Sequence, residues 1–420
     1  MFTRRANRSR TVAILDSARK PGAKILVSGG SRCNVTNTVV TERDFWGGPP
    51  PIVRRILRAF PVDDTIAFFR ELGVVLHEEA DGKLFPDSNR ARDVLDALIR
   101  ETAASGAALL TSHRVSGVER TGDPPPLARD VRELRRGSPK HCEGGTFRIV
   151  TPHGDLHAGA VVLATGGQSL PKTGSDGGGF AIARRLGHTL VPTTPALVPL
   201  LLDADEAVHR ALSGVSHDVE VAVWIDGRIA TRLTGAMLWT HFGVSGPVAL
   251  NASRHWMRAH IDQRSARLTV NFCPGESFDE VDARWNDRAR EHPRATVQAS
   301  LAQTLPASVA SAIAGRLGID AGVPLAHFPR EDRRRLVRAL VEWPLAVTGT
   351  RGYNYAEVTA GGIALDEIDP STMESRVCRG VYLVGEILDV DGRIGGFNFQ
   401  WAWSTGFVAG RALGGGAARA

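Results

Sequence analysis

The sequence predicts an α/β fold in which a domain of alternating strands and helices is interrupted by an inserted module of strands and helices. Three observations predict it. Apolar strands and amphipathic helices alternate in the N-terminal third. A β-hairpin pattern and several helical stretches follow, and a buried-strand pattern then returns at Val381–Gly385. We expect residues 1–190 and 355–420 to form one domain and residues 191–354 the insert, with a helical subdomain at about 275–342.

The elements of the first domain follow from capping residues, stop signals and apolar spacing. Residues 121–145, rich in Pro, Gly and charge, predict an exposed loop within a hairpin system. The predicted elements are a strand at Thr11–Asp16, a helix from Asp63 or Asp64 through Leu72 with Gly73 as its stop, a helix from Ser88 or Asn89 to about Ala104, strands at Ala108–Leu110, Arg114–Val118, Phe147–Val150 and Ala160–Ala164, and a last helix from about Asn398 to Leu413.

The insert has its own signals. Val219–Ile225 followed by Asp226-Gly227 predicts a β-hairpin, because Asp-Gly suits the left-handed positions of a tight hairpin turn. Arg267–Asn271 adds a strand, and three or four helical stretches occupy roughly Phe278–Val341. These signals predict that the insert is a compact unit of strands and helices.

Composition narrows the class of protein. The chain is 43% hydrophobic and 23% charged, which is ordinary for a globular protein. No apolar run approaches the roughly 20 residues that span a bilayer, so we expect no membrane segment. The four cysteines (Cys33, Cys142, Cys273 and Cys378) form no CxxC or Cys/His spacing. A zinc site or disulfide framework is therefore not expected, and a reducing cytoplasm fits best.

The net charge of +6 is mild and spread along the chain. Such an excess favours an anionic cofactor and permits weak contact with nucleic acid. The basic residues form no concentrated patch interleaved with aromatic residues, so nucleic acid is not the expected partner. A small-molecule substrate is expected, and the oligomeric state stays open.

Lys24–Asn37, KILVSGGSRCNVTN, is the most informative segment. It follows a strand that ends in the carboxylate of Asp16. An acid at a strand end accepts hydrogen bonds from ribose hydroxyls, and a Gly-rich loop with Arg and Asn side chains suits phosphates. The alternative for a lone Asp16 is a turn residue that ends the strand.

Three further loops follow apolar strands or enter helices. Ala164–Gly167 comes after a strand, and Gly174–Phe180 enters a helix whose free N–H groups attract anions. Residues 385–396 hold four glycines and three acids before a helix. That loop predicts a cradle for a flavin ring, where the helix dipole stabilises negative charge on the reduced ring. The alternative is an ordinary strand–loop–helix connection.

Together these segments resemble the BaiN/YhiN-type FAD flavoproteins, often labelled aminoacetone-oxidase-like or NAD(P)/FAD-dependent oxidoreductases. The resemblance is collinear over nearly the whole chain and implies a glutathione-reductase-like FAD domain interrupted by a β-barrel-like insert that carries a helical subdomain. The motifs that carry it are LVSGGSRCNVTN, LATGG, TGSDGGGF, THFGVSGP (Thr240–Pro247), VTAGGIALDEI and VGEILDVDGRIGGFNFQWAWSTGFVAG.

The resemblance also implies roles for individual residues. Asp16 takes the place of the acid at the adenosine ribose, the Lys24–Asn34 segment lines the phosphates and flavin, and the C-terminal loop lines the isoalloxazine. Val115 meets adenine through its backbone. The implied cofactor-binding set is Asp16, Lys24, Ser28, Gly29, Gly30, Arg32, Cys33, Asn34, Val115, Thr165, Gly166, Gly167, Gly385, Glu386, Asp389, Gly392, Gly395, Gly396, Asn398 and Gln400.

The N-terminus departs from the family pattern. Members begin with a strand, a G-x-G-x-x-G loop and a helix of roughly 30 residues in all before the acid-ended strand. Only ten residues precede Thr11 here, and RRANRSR is typical of the end of that helix, a better explanation than a transit peptide. We expect a chain whose start lies inside the first helix, a fragment or mis-started gene model that binds FAD poorly or not at all.

Candidate catalytic groups are His241, Cys33 and Tyr353. His241 suits a proton donor at the substrate face, with a hydrogen-bonded loop histidine as the alternative, and Tyr353 presents a similar choice. Cys33 is expected to be a structural or flavin-contacting thiol rather than a redox partner. No metal site is expected.

The leading functional hypothesis is an FAD-dependent oxidoreductase that exchanges a hydride between flavin N5 and a small organic substrate. NAD(P)H or oxygen would close the cycle, and a double bond conjugated to a carbonyl, or an amine, would suit the chemistry. A flavin-linked RNA-modifying protein and a cofactor-deficient homologue without activity are the alternatives.

Overall fold

A computed structural model describes residues 1–121, 147–204 and 208–415. The predicted exposed loop at 121–145 lies outside these residues, apart from Thr121. By contacts, the chain divides into two units. The first combines Met1–Thr193 with the segment from Val358 onward, and the second is Thr194–Glu357.

The α-helices of the described residues range in length from a single turn to 18 residues in the last helix. They are α1 (Phe2–Ala6), α2 (Ala23–Ser31), α3 (Pro50–Ala59), α4 (Val62–Glu71), α5 (Ala91–Ala104), α6 (Gly178–Arg185), α7 (Val208–Ala211), α8 (Pro247–Ile261), α9 (Phe278–Glu291), α10 (Val297–Leu301), α11 (Ala307–Leu317), α12 (Arg330–Val341) and α13 (Phe397–Gly414).

The strands of the same residues are mostly short, and the longest form the hairpin of the second unit. They are β1 (Ala13–Leu15), β2 (Thr36–Asn37), β3 (Phe45–Gly47), β4 (Leu76–Glu79), β5 (Lys83–Pro86), β6 (Ala108–Leu110), β7 (Gly117–Arg120), β8 (Phe147–Val150), β9 (Leu156–Ala158), β10 (Val161–Leu163), β11 (Leu190–Ala196), β12 (Leu200–Leu202), β13 (Ser216–Ile225), β14 (Arg228–Thr240), β15 (Gly243–Ser245), β16 (Ala266–Asn271), β17 (Trp343–Leu345), β18 (Val347–Thr350), β19 (Val358–Ile363), β20 (Val381–Leu383) and β21 (Val390–Gly392).

Two parallel strand pairs organise the first unit. β1 pairs with β6, and β10 pairs with β20. Within the described residues neither pair has a third strand, and Ile14 on β1 and Val162 on β10 are 37% and 41% exposed. Because parallel strands in one pair point the same way, the loops after β1 and β6 emerge together, as do those after β10 and β20. These loops hold eight of the twenty predicted cofactor-binding residues: Asp16, Val115, Thr165, Gly166, Gly167, Gly385, Glu386 and Asp389.

Helix α13 fills the centre of the first unit. The centroid of its Phe407 ring lies 4.6 Å from the centroid of the Phe60 ring and 5.2 Å from that of Phe2 in α1. Gly410 and Gly414 let α1 approach, since a Cβ at these positions would lie 2.5 Å from the Cβ of Phe2 and 2.4 Å from that of Ala6, respectively. This packing holds the C-terminal half of α13 against α1.

The second unit is an antiparallel seven-stranded sheet covered by helices. Its strand order is β17-β16-β13-β14-β15-β12-β18. One core joins sheet residues such as Val221 and Trp239 to helix residues such as Trp285 and Ile313. The expected barrel-like insert is an open sheet: β17 and β18 are the edges of the described sheet and do not pair, so no closed barrel forms among the described residues.

Two local predictions also need correction. The segment expected as a loop at 24–37 begins with a helix, which breaks where Ser28, Gly29 and Gly30 leave helical geometry. The strand expected at Arg114–Val118 is observed at Gly117–Arg120, where it pairs with β8. β-propensity marks a suitable stretch, but the partner strand decides which residues enter the ladder.

No helix in the described ranges has the length and hydropathy to cross a bilayer. Among the same residues, no group of three or more His, Cys, Asp and Glu side chains is arranged to hold a metal ion.

Candidate functional site

A polar cluster joins four separate segments of the first unit. Lys24 Nζ donates to Glu386 Oε2 at 2.5 Å and to Ser169 Oγ at 2.6 Å. Ser169 Oγ donates to Glu386 Oε1 at 2.7 Å, and the Thr359 backbone N–H donates to the same oxygen at 2.9 Å. Glu386 therefore ties together α2, the loop after β10, β19 and the end of β20. We call these four residues the Glu386 cluster.

The cluster also shapes the loop that contains Thr165–Gly167. The hydroxyl of Thr359 accepts hydrogen bonds from the backbone N–H groups of Gln168 and Ser169, at 2.8 and 3.1 Å. A Cβ on Gly167 would lie 2.4 Å from that hydroxyl, so the loop packs against β19 at a position where only glycine fits. The TGG turn is thus held by side chains far from it in sequence.

The 24–37 segment and the C-terminal loop meet directly. With its amide oriented to satisfy its neighbours, Asn34 accepts a hydrogen bond from the Gly396 N–H at 3.1 Å. Asn37 Nδ2 donates to the Gly395 carbonyl at 3.2 Å, and Trp403 Nε1 donates to the Val35 carbonyl at 2.9 Å. Two segments separated by more than 350 residues therefore form adjoining walls of one site.

The loop before α13 is closed by Asn398. Its Oδ1 accepts from Gly392 N at 2.8 Å and its Nδ2 donates to Gly392 O at 2.9 Å. Gly395 and Gly396 have φ of 124° and 94°, which favours glycine over residues with a side chain. The N-terminus of this 18-residue helix, with its partial positive charge, lies at the end of the loop.

The other end of the site lies at the carboxyl ends of β1 and β6. Asp16 Oδ1 accepts from the Ala18 N–H at 2.7 Å, and the Asp16 carbonyl accepts from the N–H of His113, two residues before Val115. A Cβ on Gly174 would lie 3.8 Å from Ser17 Oγ, so the 174–180 loop reaches this end. Asp16 and the loop that holds Val115 are therefore neighbours.

The middle of the site is spanned by the 165–178 loop. A Cβ on Gly166 would lie 2.8 Å from Ser175 Oγ. Arg114 pairs with Asp176 at 2.5 Å, which connects the loop to the β6 end. A continuous path thus runs from Asp16 through this loop to the Glu386 cluster and the start of α13.

This path fits an extended dinucleotide. It begins at a carboxylate suited to a ribose, passes turns where backbone N–H groups come close to solvent, and ends at a helix N-terminus. The exposed Gly29 and Gly30, in left-handed conformation, add peptide groups along it. The polar groups along it are backbone N–H groups, hydroxyls, amides and paired charges (Lys24 with Glu386, Arg114 with Asp176), a set that suits the ribose, pyrophosphate and ring edges of FAD better than a metal ion.

Several predicted residues make contacts that define other roles. Gln400 is 1% exposed, and its Oε1 accepts hydrogen bonds from the hydroxyls of Thr36 and Thr65 at 2.7 and 3.0 Å. Its Nε2 donates to the Phe60 carbonyl at 2.9 Å, so Gln400 joins α13 to the core. The resemblance assigned it to the isoalloxazine, whereas these contacts occupy its amide.

Arg32, Ser28 and Asp389 also make local contacts. Arg32 pairs with Glu79 at 2.6 Å and its guanidinium lies 4.1 Å from the Phe85 ring centroid. Ser28 Oγ donates to the Ile25 carbonyl, and the Asp389 carbonyl accepts from Gly48 N at 2.7 Å. These residues stabilise the turns of the site.

Cys33 is fully buried, with a left-handed φ of 64°. Burial raises the pKa of its thiol to about 11, against the opposing effect of a hydrogen bond with Ser28. The thiol is protonated at neutral pH, so Cys33 does not supply a reactive thiolate.

The described cysteines are expected to be unreactive in the folded protein. Burial raises the pKa of Cys33, Cys273 and Cys378 alike. In a Cys142→Ser variant, a disulfide reagent at pH 8 is expected to label none of the three rapidly, and all three in urea. Rapid native labelling of Cys33 would contradict its burial.

His241 and Tyr353 lie in the second unit. His241 is exposed in the turn between β14 and β15, with its ring 5.0 Å from that of Phe242. Tyr353 begins a short helical turn, Tyr353–Tyr355. Arg351, which contacts the rings of Phe242 and Tyr355, links these two loops.

Sequence reasoning missed Ser169 and Thr359. Each lies within or beside a motif already noted, LATGG and VTAGGIALDEI, but a hydroxyl residue in a strand or turn has no special signal of its own. Both residues are fully buried in the fold, and a buried hydroxyl needs a hydrogen-bond partner. Their burial, which the sequence alone does not give, is what identifies them as members of the site.

A family model described as the HI0933-like protein Rossmann domain matches residues 2–412. The chain belongs to the HI0933-like family. This confirms the resemblance, and as an HI0933-like protein the chain is an FAD-dependent oxidoreductase with a Rossmann-type domain.

Relatives of this HI0933-like chain align over almost its full length. It is 32% identical to the 3-dehydro-bile acid delta(4,6)-reductase of Clostridium scindens, covering 96% of this chain and 92% of the relative. It is 31% identical, with the same coverage, to the ribosomal RNA dihydrouridine synthase of Escherichia coli. Among solved structures, a 3-ketosteroid-Δ4-(5α)-dehydrogenase from Rhodococcus jostii RHA1 matches with 13% identity and a TM-score of 0.40, over 97% of this chain and 94% of that one.

Proposed function

We propose that this protein reduces a carbon–carbon double bond conjugated to a carbonyl group in a small organic substrate. The observation that carries the proposal is shared by the names of two relatives. A delta(4,6)-reductase of a 3-dehydro-bile acid acts on double bonds conjugated to a 3-oxo group. A dihydrouridine synthase saturates the pyrimidine double bond next to a carbonyl. Both reactions add a hydride and a proton across an activated double bond.

FAD, when bound, supplies the hydride chemistry at its N5 atom. Asp16 would hold the adenosine ribose, and the loops at 165–167 and 174–180 would offer backbone N–H groups to the phosphates. The start of α13, with Gly395 and Gly396, would hold the ring. The contact path described above supports these assignments.

The residues of the chain have three tasks in this proposal. The Glu386 cluster fixes the positions of the loops relative to one another, so that the peptide groups of the site are preorganised. The dipole of α13 stabilises negative charge near its N-terminus by about 0.3–2 kcal/mol. The proton for the second carbon comes from a side chain or water, and we propose His241 or Tyr353 as its donor.

We further propose NAD(P)H as the reductant and a cytoplasmic location. A reduced nicotinamide donates one hydride, which carries two electrons and balances the two-electron reduction of a double bond. The three buried cysteines, none of them near a disulfide partner among the described residues, suit a reducing compartment.

The test is an anaerobic half-reaction. Protein reconstituted with FAD is reduced anaerobically by NADPH or NADH, and the flavin spectrum is then followed on mixing with 3-oxochol-4-en-24-oate or, in a second sample, with oxygenated buffer. Oxidised protein is mixed with glycine in parallel, because an amine substrate would reduce the flavin rather than reoxidise it. Reoxidation by the enone, with a product two hydrogens heavier by mass spectrometry, is the expected result. No reoxidation by the enone, with reoxidation by oxygen intact, would exclude the enone reaction for this probe class, and flavin reduction by glycine would favour an amine substrate.

Loss of the proton donor is expected to slow the enone half-reaction alone. His241→Ala or Tyr353→Phe should lower its rate by about 10²–10⁴-fold and change its pH profile, whereas reduction by NADPH stays unchanged. His292→Ala, an exposed histidine of the same unit, is the matched control. If neither variant separates the two half-reactions, the proton comes from elsewhere.

The alternative substrate is uridine in ribosomal RNA, which the second relative's name favours. The test is filter binding of a ribosomal RNA fragment across a range of salt concentrations. Binding through several phosphates would weaken steeply with salt. No binding at low salt would remove this alternative.

A further inference from the structure

The guanidinium of one arginine in the second unit lies close to two aromatic rings. The guanidinium carbon of Arg351 lies 3.4 Å from the ring centroid of Tyr355 and 4.6 Å from that of Phe242. The Arg351 backbone N–H donates to the Pro199 carbonyl at 3.1 Å, and Tyr355 N donates to Gly352 O at 3.0 Å. The side chain is therefore stacked on a loop whose backbone is itself anchored.

The guanidinium edge of Arg351 has no protein acceptor in the part of the chain that the structure describes. Three other surface arginines of the same unit each pair with a carboxylate: Arg232 with Glu220, Arg264 with Asp226 and Arg267 with Glu342. Rings that stack on a guanidinium cover its faces and leave its N–H groups in the plane between them. Arg351 is thus a preorganised donor.

The surroundings select the kind of acceptor. A planar fork of N–H groups matches a carboxylate with two parallel hydrogen bonds. Tyr355 is 49% exposed and Phe242 is partly exposed, so the rim is apolar and aromatic. The exposed imidazole of His241 stands beside Phe242. An acid with an apolar body satisfies this combination better than a small inorganic anion.

We propose that Arg351, Phe242 and Tyr355 form a binding site for the carboxylate of an apolar organic acid. A single rigid fork favours one carboxylate, whereas a nucleic acid would need several cations along its backbone. Assigning the acid as the substrate of the reaction above rests on the proposed function; the binding site itself does not.

The test is calorimetric titration of the full chain with a saturated acid, 5β-cholan-24-oate, and with its methyl ester. The wild type is expected to bind the acid and to bind the ester at least tenfold more weakly, because the ester lacks the charge. Arg351→Gln should weaken acid binding by about 10- to 100-fold, and Arg351→Lys by less, since lysine keeps the charge without the fork. The exposed Arg228→Gln, an equal change of charge on the same unit, should alter it by less than about twofold.

Equal affinities of wild type and Arg351→Gln for the acid would overturn the site, as would equal binding of acid and ester or no binding of the acid. Loss of binding to a uridine-rich oligoribonucleotide in Arg351→Gln, with acid binding intact, would overturn it in favour of RNA. Because the saturated acid cannot be reduced, its binding is independent of the reductase reaction. A raised KM for 3-oxochol-4-en-24-oate in Arg351→Gln, with kcat unchanged, would add that this acid is a substrate.

Discussion

Replacing Gly396 by alanine is expected to lower the free energy of unfolding by about 3–5 kcal/mol. Gly396 has φ of 94°, and a Cβ there would lie 2.5 Å from the carbonyl carbon and oxygen of Thr36. Those atoms belong to a buried strand and cannot move away as a flexible side chain could. The α13 start would shift from the 24–37 segment, and denaturant unfolding measures the loss.

Gly415→Ala is the matched control at the other end of the same helix. Gly415 has φ of 84°, but nothing lies within 4 Å of a Cβ built there. It should therefore show only the backbone strain, about 1–2 kcal/mol. Equal effects of the two substitutions would mean that the close approach of α13 to Thr36 does not hold in solution.

Replacing Glu386 by alanine is expected to cost about 2–4 kcal/mol of stability. The change leaves the Lys24 ammonium without its carboxylate and removes the acceptor of Ser169 Oγ and Thr359 N. The side chains are only 17% and 29% exposed, so water replaces these contacts incompletely. Chemical denaturation of the variant measures the loss.

A double-mutant cycle isolates the ion pair itself. Lys24→Ala and Glu386→Ala should be less than additive, with a coupling of about 1–2 kcal/mol. The pair Asp287–Arg290, with side chains 62% and 77% exposed, serves as the comparison and should couple by less than about 0.5 kcal/mol. A coupling near zero for Lys24 and Glu386 would show that water screens the cluster. A separate measurement, the amount of FAD that each variant retains through gel filtration, reports on cofactor binding.

Local signals in the sequence predicted much of the secondary structure. The helix expected to end near Ala104 is observed at Ala91–Ala104, and the hairpin at 219–227 is confirmed by β13 and β14, with Asp226 and Gly227 both in left-handed conformation. Periodicity and turn chemistry involve residues close in sequence, so one sequence suffices to detect them.

The interior of the site could not be predicted in the same way. The helical period places Gln400 and Ser404 on one face of α13, but it does not say what that face meets. The structure shows Thr36, Thr65 and the Phe60 carbonyl there. Such partners depend on how distant segments pack, which sequence patterning alone does not specify.

The long separation of the walls of the site has a consequence for biosynthesis. Lys24 meets Glu386 across 362 positions, and Val35 meets Trp403 across 368. At about 5–20 residues per second, the ribosome needs roughly 20–70 s to make the second partner after the first. During that interval Val35 and Cys33 can pack against early residues of the same cluster, such as Phe69, but the side of the cluster that Trp403 covers has no partner. The first unit can therefore complete its core only when the final helix emerges.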